Sequence, residues 1–249
     1  MAYKYKVSVI TICFNAEKEI QRTIKSVVNQ TFEDFEYIII DGNSSDNTLA
    51  VIKSYKSRIQ QLISEPDDGI YDAMNKGVRL AKGEWLIFMN AGDCFADNNV
   101  LQKIFANRIP ENINFIYSDV YMKQKQGRLL CPMNFSKGAL NHQCVIYKKK
   151  CHEIYGLYIV THPIIISDYL FFIRFQDENV MKTNTVIAEY EGGGVSSQGG
   201  NWNRKQSLCA DVVFRRRSFG NMLMVYIIKE LADFIPVGLK YKLKSILLK

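Results

Sequence analysis

Three groups of acids in this chain each stand directly behind a short apolar run: Asp41 behind Tyr37 to Ile40, Asp67 and Asp68 behind Ile59 to Ser64, and Asp93 behind Trp85 to Met89. If those runs are parallel strands of one open sheet, their ends point the same way and the carboxylates gather at the rim where such sheets bind ligands. Like charges held together repel, so the arrangement persists mainly where a cation or a donor-rich ligand compensates it. Taken alone, Asn90-Ala91-Gly92-Asp93 also suits an ordinary turn. The chain has neither a Gly-x-Gly-x-x-Gly after its first strand nor a Gly-x-x-x-x-Gly-Lys-Ser/Thr anywhere, which excludes a dinucleotide site and a P-loop. A divalent metal, Mg²⁺ or Mn²⁺, on hard oxygen ligands and bridging a diphosphate is the natural alternative.

The elements that must position these groups can be read from apolar spacing. Val7 to Cys13 is a β-branched run of strand type, and beyond Phe14-Asn15 the residues Ile20, Ile24, Val27 and Val28 recur at helical spacing. Tyr37 to Ile40 is a second strand, after which Asp41-Gly-Asn-Ser-Ser-Asp-Asn-Thr48 offers N-caps to a helix carrying Leu49, Val51, Ile52 and Tyr55. Ile59 to Ser64 is a third strand. A helix over about Ile70 to Lys82 buries Ile70, Met74 and Val78, with Gly83 in the place of a C′ glycine. Trp85 to Met89 is far too short to cross a membrane and reads as a fourth strand. This alternation predicts an α/β fold with a mainly parallel sheet covered on both faces. After Asp93 the rhythm loosens into a strand over Phe115 to Val120 and a hairpin around Gln126 to Met133. A helix from Asp168 to Phe175 and a strand from Val186 to Tyr190 follow, the strand leading into Gly192 to Ser197. The expected organisation is one domain over residues 1–220, with halves 1–95 and 96–220, and a tail over 221–249.

With 249 residues, 47% of them apolar and 23% charged, the chain is long enough for one sizeable core and has no low-complexity stretch. Its net charge of +7 is carried late, in Arg215-Arg216-Arg217 and in Lys240, Lys242, Lys244 and Lys249. That placement suits an anionic membrane or ligand, whereas a nucleic-acid partner leaves the acidic strand ends without a role. Six cysteines with no Cys-x-x-Cys pair suit reduced thiols in a cytosol and argue against a zinc site. Lys4 and Lys6 precede no long apolar region with a cleavage site, so no secretory signal is expected, and no apolar window reaches the length of a membrane span.

Four pieces in order carry a resemblance: Val7-Ser-Val-Ile-Thr-Ile-Cys-Phe-Asn15, Asp41-Gly-Asn-Ser-Ser-Asp-Asn-Thr48, Glu65-Pro-Asp-Asp-Gly-Ile-Tyr-Asp-Ala-Met-Asn-Lys-Gly77 and Met89-Asn-Ala-Gly-Asp93. Together they resemble the family 2 glycosyltransferases of the GT-A fold, and weaker agreement continues through Asn141-His-Gln143, Ser167-Asp-Tyr169 and Gly193-Gly-Val-Ser196. The resemblance implies an inverting, metal-assisted transfer of a sugar from a nucleotide diphosphate to an acceptor hydroxyl, with the donor in residues 1–95 and the acceptor in 96–220. Carried over by motif, Thr11, Phe14 and Asn15 line the nucleotide pocket, and Asp41 accepts a hydrogen bond from the base, most often uracil. Asp68, Asn75 and Lys76 face the ribose and diphosphate, the lesser alternative being that Asn75 and Lys76 are solvated helix residues. Asn90 and Ala91 lie on the donor side. Many relatives have Asp-x-Asp-Asp where this chain has Asn90-Ala91-Gly92-Asp93, which leaves Asp93 to ligate a metal directly, with Asn90 as a neutral ligand or ribose contact. The implied Mn²⁺ or Mg²⁺ is then weakly held or dispensable.

An inverting transfer needs a base opposite the leaving diphosphate, and Asp168 matches the family's late acidic motif. The alternatives are that Asp168 only caps its helix, or that His162 is the base. His142 and Gln143 resemble a polar motif on the acceptor side, which binds acceptor hydroxyls or the donor phosphates; the alternative is that they are structural. Gly192 to Ser197 is either a closing loop or a surface turn. The Gln-x-x-Arg-Trp motif of processive members is absent, so one sugar per encounter is expected. Beyond Pro236, Leu239, Leu243, Ile246 and Leu247 share a helical face among lysines, the pattern of an interfacial helix or of one packed on its own domain. The sequence therefore points to transfer of one hexose or N-acetylhexosamine from a UDP-sugar to a lipid-linked saccharide in surface polysaccharide assembly. The expected location is cytoplasmic, at the inner face of the membrane. GDP- or dTDP-sugars, or a non-catalytic nucleotide-sugar-binding subunit, are the rival readings.

Overall fold

The computed structural model describes residues 3–161, 165–191, 200–214 and 218–232. At its centre lies β1 (Tyr5–Cys13), whose side chains from Val7 to Cys13 are all buried. Parallel neighbours β2 (Phe35–Asp41) and β4 (Gly83–Phe88) flank it, and β3 (Gln61–Ser64) adds to β2, also parallel. A strand buried on both faces reads as a continuous β-branched run, which is why β1 and β2 were legible. The crossovers are α1 (Ile20–Val28), α2 (Thr48–Lys53) and α3 (Ile70–Leu80). In α1, Ile20, Ile24, Val27 and Val28 form the buried stripe that their spacing predicts. Pairing of Cys13 with Asp41 and of Asp41 with Ser64 aligns the carboxyl ends of the first three strands at one rim.

Gly83 has a different role from the one expected. The α3 helix closes at Ala81 with an extended backbone (φ −57°, ψ 134°), and Gly83 is already the first residue of β4. A Cβ on Gly83 would lie 2.5 Å from the Ser8 main-chain nitrogen, so the glycine permits close approach of β4 to β1 and does not cap a helix.

The remaining strands complete two sheets. The larger has the order β10-β6-β9-β4-β1-β2-β3, with β6 (Phe115–Tyr117), β9 (Val145–Lys148) and β10 (Val180–Lys182); only β9 runs against its neighbours. The smaller has the order β5-β11-β7-β8, from β5 (Cys94–Phe95), β7 (Val120–Lys123), β8 (Arg128–Cys131) and β11 (Ala188–Tyr190). Both sheets draw on residues before and after position 95, so the two halves of the chain share their framework. The expected strand over Phe115 to Val120 is two strands in different sheets. Its break at Ser118-Asp119 is held by Asp119, which accepts from the Met133 amide at 2.8 Å and pairs with Lys182 at 2.7 Å.

The helices of this region are α4 (Val100–Phe105), α5 (Cys151–Tyr155) and α6 (Ser167–Phe172), the last ending before the expected Phe175. An aromatic cluster beneath α6 fixes it: Phe171 stacks on His152 with centroids 4.4 Å apart and meets Tyr158 at 5.2 Å, while Phe172 meets Phe115 edge-on at 5.2 Å. Such pairs contribute about 0.5–1.5 kcal/mol each beyond their buried area. The last helices are α7 (Gly200–Val213) and α8 (Phe219–Ala232), and the Tyr169 hydroxyl donates to Asp211, tying α6 to α7. The segments named above at His162, Gly192 to Ser197, Arg215 to Arg217 and beyond Pro236 lie outside the described residues.

Candidate active site

At the aligned strand ends, the loops after β1 and β2 are stitched together by Asn15. Its backbone is left-handed (φ 46°), its Oδ1 accepts from the Ser45 amide at 2.9 Å, and its own amide donates to Ser44 Oγ at 2.8 Å. Asparagine tolerates this conformation better than most residues. Phe14 beside it is 64% exposed, a large ring left in water at the rim. Gly42 lies between that ring and Asp67: a Cβ there would come within 3.4 Å of the ring and 2.6 Å of Asp67 Oδ2. Burial is the main reason the Asp67 carboxyl titrates above its ordinary range.

Asp41 lies at the expected place but is fully buried. Its carboxylate accepts from Ser44 Oγ at 2.5 Å, the Ser44 amide at 3.1 Å and Ser64 Oγ at 2.7 Å. It therefore organises the loop behind Phe14 and Asn15, where a direct contact to a base had been expected. Thr11, expected to line the pocket, is fully buried: its hydroxyl donates to the Met89 carbonyl at 2.7 Å and meets Tyr37 Oη at 2.9 Å, joining three strands. Asn75, expected on the donor side, is buried. It is 3% exposed, and its amide donates to the Tyr158 carbonyl and accepts from the Tyr158 amide, both at 2.9 Å. Lys76 sits over the acidic loop, bonded to the Pro66 carbonyl at 2.8 Å and paired with Glu65 at 3.0 Å and Asp72 at 3.4 Å. Asp68 is exposed at the head of that loop, its main-chain amide donating to Asp72 at 3.1 Å.

Four elements converge next to these loops. Asn90 follows β4, its Nδ2 lying 2.9 Å from His142 Nε2, and the Ala91 amide donates to the Ile12 carbonyl at 3.1 Å. His142 begins the three-ten turn before β9, the antiparallel neighbour of β4, and its Nδ1 lies 3.6 Å from Asp168 Oδ2. Asp168 occupies the first turn of α6, where no side chain caps the helix. The Tyr71 hydroxyl donates to Asp168 Oδ1 at 2.8 Å. Burial, and after it the Asp168 charge, push the Tyr71 phenol far above its ordinary pKa, so it remains a donor. Asp168 and His142 are partly open, with side chains 21% and 19% exposed. The Tyr71 hydroxyl on one oxygen and the His142 ring near the other hold this carboxylate in place at the open rim.

Tyr71 was not expected at the site. It shares a helical face with Met74, Asn75 and Val78, and a buried phenol on such a face requires a partner. Arg22 on α1 was also missed, since an isolated arginine on an amphipathic helix carries no signal.

The divalent metal expected at Asp93 does not fit the residues present. Asp93 is only 8% exposed, its Oδ2 accepts from Gln143 Nε2 at 3.0 Å, and the Arg22 guanidinium already supplies a positive charge nearby. The adjoining positions offer a neutral Asn90 and a side-chain-free Gly92, and among the described residues no three His, Cys, Asp or Glu form a metal cage. Burial drives the Asp93 carboxyl up to about 7, opposed by the Gln143 hydrogen bond and Arg22. Because the folded pKa exceeds the unfolded one, the folded state holds more protons at mildly acidic pH, and stability declines as pH rises from about 4 to about 7. Asp93→Asn removes that decline and stabilises the protein above neutrality by on the order of 1–3 kcal/mol. Urea unfolding of both proteins at pH 5 and pH 8 checks it, and equal gaps at the two pH values would contradict it.

A family model described as Glycosyl transferase family 2 matches residues 8–129. The PGL/p-HBAD biosynthesis glycosyltransferase of Mycobacterium bovis is 29% identical over 204 residues, 76% of this chain and 78% of that one. Among solved structures, S. aureus TarS in complex with UDP-GlcNAc superposes with a TM-score of 0.64 at 17% identity, over 83% of this chain and 66% of that one. The mannosyltransferase PcManGT from Pyrobaculum calidifontis, in complex with GDP-Man and Mn²⁺, gives 0.63 at 12% identity, over 98% and 85%. At such identities these structures establish the fold, which is GT-A. With the strand-end loops, the converging polar residues and the sequence match in agreement, the chain carries a glycosyltransferase family 2 domain over residues 8–129.

Proposed function

We propose that this chain transfers one sugar, a hexose or N-acetylhexosamine, from a UDP-sugar to a lipid-linked saccharide with inversion at the anomeric carbon. The observation that carries this reading is the meeting of Asn90, His142, Tyr71 and Asp168 from four elements beside the loop of Phe14 and Asn15. The base of the nucleotide stacks on Phe14 over the loop that Asp41 and Asn15 organise, and the diphosphate extends past Asp68 and Lys76 toward Asn90 and Ala91. Asp168 takes the proton of the acceptor hydroxyl as the oxocarbenium-like transition state forms. The UDP-GlcNAc complex of TarS supports uridine donors. The family commonly employs a divalent metal, but no step here is assigned to one.

The test is a donor screen with UDP-, GDP- and dTDP-sugars and membrane extract as acceptor, with and without EDTA. The expected result is turnover with a UDP-sugar that EDTA lowers less than about tenfold, given the single buried carboxylate at the metal position. Binding of sugar nucleotides without turnover would favour the non-catalytic subunit.

Peripheral attachment to the inner membrane face, through residues 221–249, is part of the same proposal. Among the described residues no helix is long and apolar enough to cross a bilayer. The α8 helix instead leaves Phe219 65% exposed, with Leu223, Met224, Ile227 and Ile228 also in water, beside the basic residues of the C-terminal sequence. Replacing Phe219, Leu223 and Ile227 by serine is expected to weaken co-sedimentation with phosphatidylglycerol-containing vesicles by about tenfold, with donor hydrolysis unchanged. Unaltered sedimentation would remove α8 from the membrane contact.

A further inference from the structure

Both nitrogens of the His142 ring face polar groups, and those groups differ in kind. Nε2 lies 2.9 Å from the Asn90 amide nitrogen, and Nδ1 lies 3.6 Å from Asp168 Oδ2. A neutral imidazole carries one proton, so one nitrogen donates and the other accepts. An amide nitrogen can only donate, so Nε2 accepts and the proton resides on Nδ1, facing the carboxylate.

Turning the Asn90 amide over, so that Oδ1 meets Nε2, would require a proton on Nε2. Two states would then be open. A neutral ring would turn its bare Nδ1 lone pair on the Asp168 carboxylate, which is repulsive. A doubly protonated ring would be a cation, which burial disfavours, holding the His142 pKa below its ordinary value against the pull of Asp168. Either orientation leaves one buried polar atom of the amide without a partner, so the choice rests on the ring's charge and on its Nδ1 facing Asp168. One arrangement survives, the neutral ring protonated at Nδ1.

We infer that His142 is a positioning residue for the base, directing its Nδ1–H at Asp168, and that Asn90 holds the ring in the tautomer that places the proton there. The assignment rests on Asp168 being the base, as proposed above. It gives Asp168 a donor on each oxygen: Tyr71 at 2.8 Å on Oδ1 and His142 on Oδ2. The 3.6 Å spacing is longer than a hydrogen bond and has the looseness of catalytic pairs that tighten when the site is loaded. Asn90 stands where the donor sugar nucleotide arrives, so a donor-side residue sets the orientation of the group that deprotonates the acceptor. This role differs from the acceptor contact expected for His142 from the sequence.

Two measurements test this. The first is the tautomer of the unaltered, unliganded protein, read by long-range ¹H–¹⁵N NMR at pH 7.5, with the three histidine signals separated by His142→Gln. The Nδ1-protonated ring is expected; an Nε2-protonated or doubly protonated ring overturns the inference. The second is hydrolysis of the UDP-sugar returned by the donor screen, with water in place of the acceptor. His142→Phe is expected to lower kcat by about 10- to 100-fold with donor KM unchanged. His142→Asn, whose amide nitrogen lies about where Nδ1 does, is expected to retain the rate within about fivefold. If His142 bound the acceptor, hydrolysis would be unaffected by either change; if it bound the donor, KM would rise. Either result overturns the inference. Loss of hydrolysis in Asp168→Asn alongside an unaffected His142→Phe refutes the positioning role alone, whereas an active Asp168→Asn refutes the base. Should the phenylalanine variant not fold, the tautomer decides.

Discussion

Asp168→Asn lowers kcat by about 10²- to 10⁴-fold and leaves donor KM within about twofold. The substitution is nearly isosteric, and the amide oxygen can still accept from the Tyr71 hydroxyl that now bonds Oδ1 at 2.8 Å. No helix-capping bond is at stake, because the Asp168 side chain caps nothing at the start of α6. The fold should therefore survive, with an unfolding midpoint close to that of the parent. What disappears is the capacity to accept a proton, and that loss falls on the chemical step. Residual turnover above about a tenth of the parent rate would remove Asp168 from the mechanism and reopen the question of His162.

The resemblance in the sequence identified the strand ends correctly but could not say which way each side chain faces. Alternation along a strand decides that, and a shift of one residue exchanges core for cleft. Thr11 illustrates this: its position in the first motif suggested the pocket, whereas β1 turns it inward to bond Tyr37 and Met89. Phe14 and Asn15 lie just beyond the strand, where alternation no longer decides the direction: the Phe14 ring is exposed at the rim and Asn15 ties two loops together. The first half of the sheet was legible because each strand is a continuous buried run followed by an amphipathic helix. In the second half the hairpin, the helix at Asp168 and the strand ending at Tyr190 were legible but their pairing was not, since β9 inserts antiparallel between strands remote in sequence and β6 and β7 divide at Ser118 between two sheets. His142 was singled out, but its tautomer depends on Asn90, 52 residues away, a relation visible only when β4 and β9 are seen side by side.

Asn75 carries the second large effect, and it separates a structural from a ligand-binding role. Its amide satisfies both the N–H and the C=O of Tyr158, each at 2.9 Å, inside a region that water does not reach. Asn75→Ala leaves two buried main-chain groups unpaired, each costing about 1–3 kcal/mol, so a loss of about 2–6 kcal/mol in unfolding free energy is expected. For a chain of this size that corresponds to a fall of roughly 5–15 °C in Tm. The consequence reaches the site through packing. The Tyr158 ring lies 5.9 Å from that of Tyr71, whose hydroxyl holds Asp168, and 5.2 Å from Phe171 on the helix that carries Asp168. Loosening Tyr158 therefore misplaces the base without touching the donor. The expected signature is a lower Tm and a kcat reduced by about tenfold at a temperature where the variant is folded, with donor KM unchanged. Had Asn75 faced the ribose or diphosphate, as its motif suggested, the variant would raise donor KM and keep its Tm. Thermal unfolding measured beside donor titration distinguishes the two, because a bond to the Tyr158 main chain is read in Tm and a bond to the donor is read in KM.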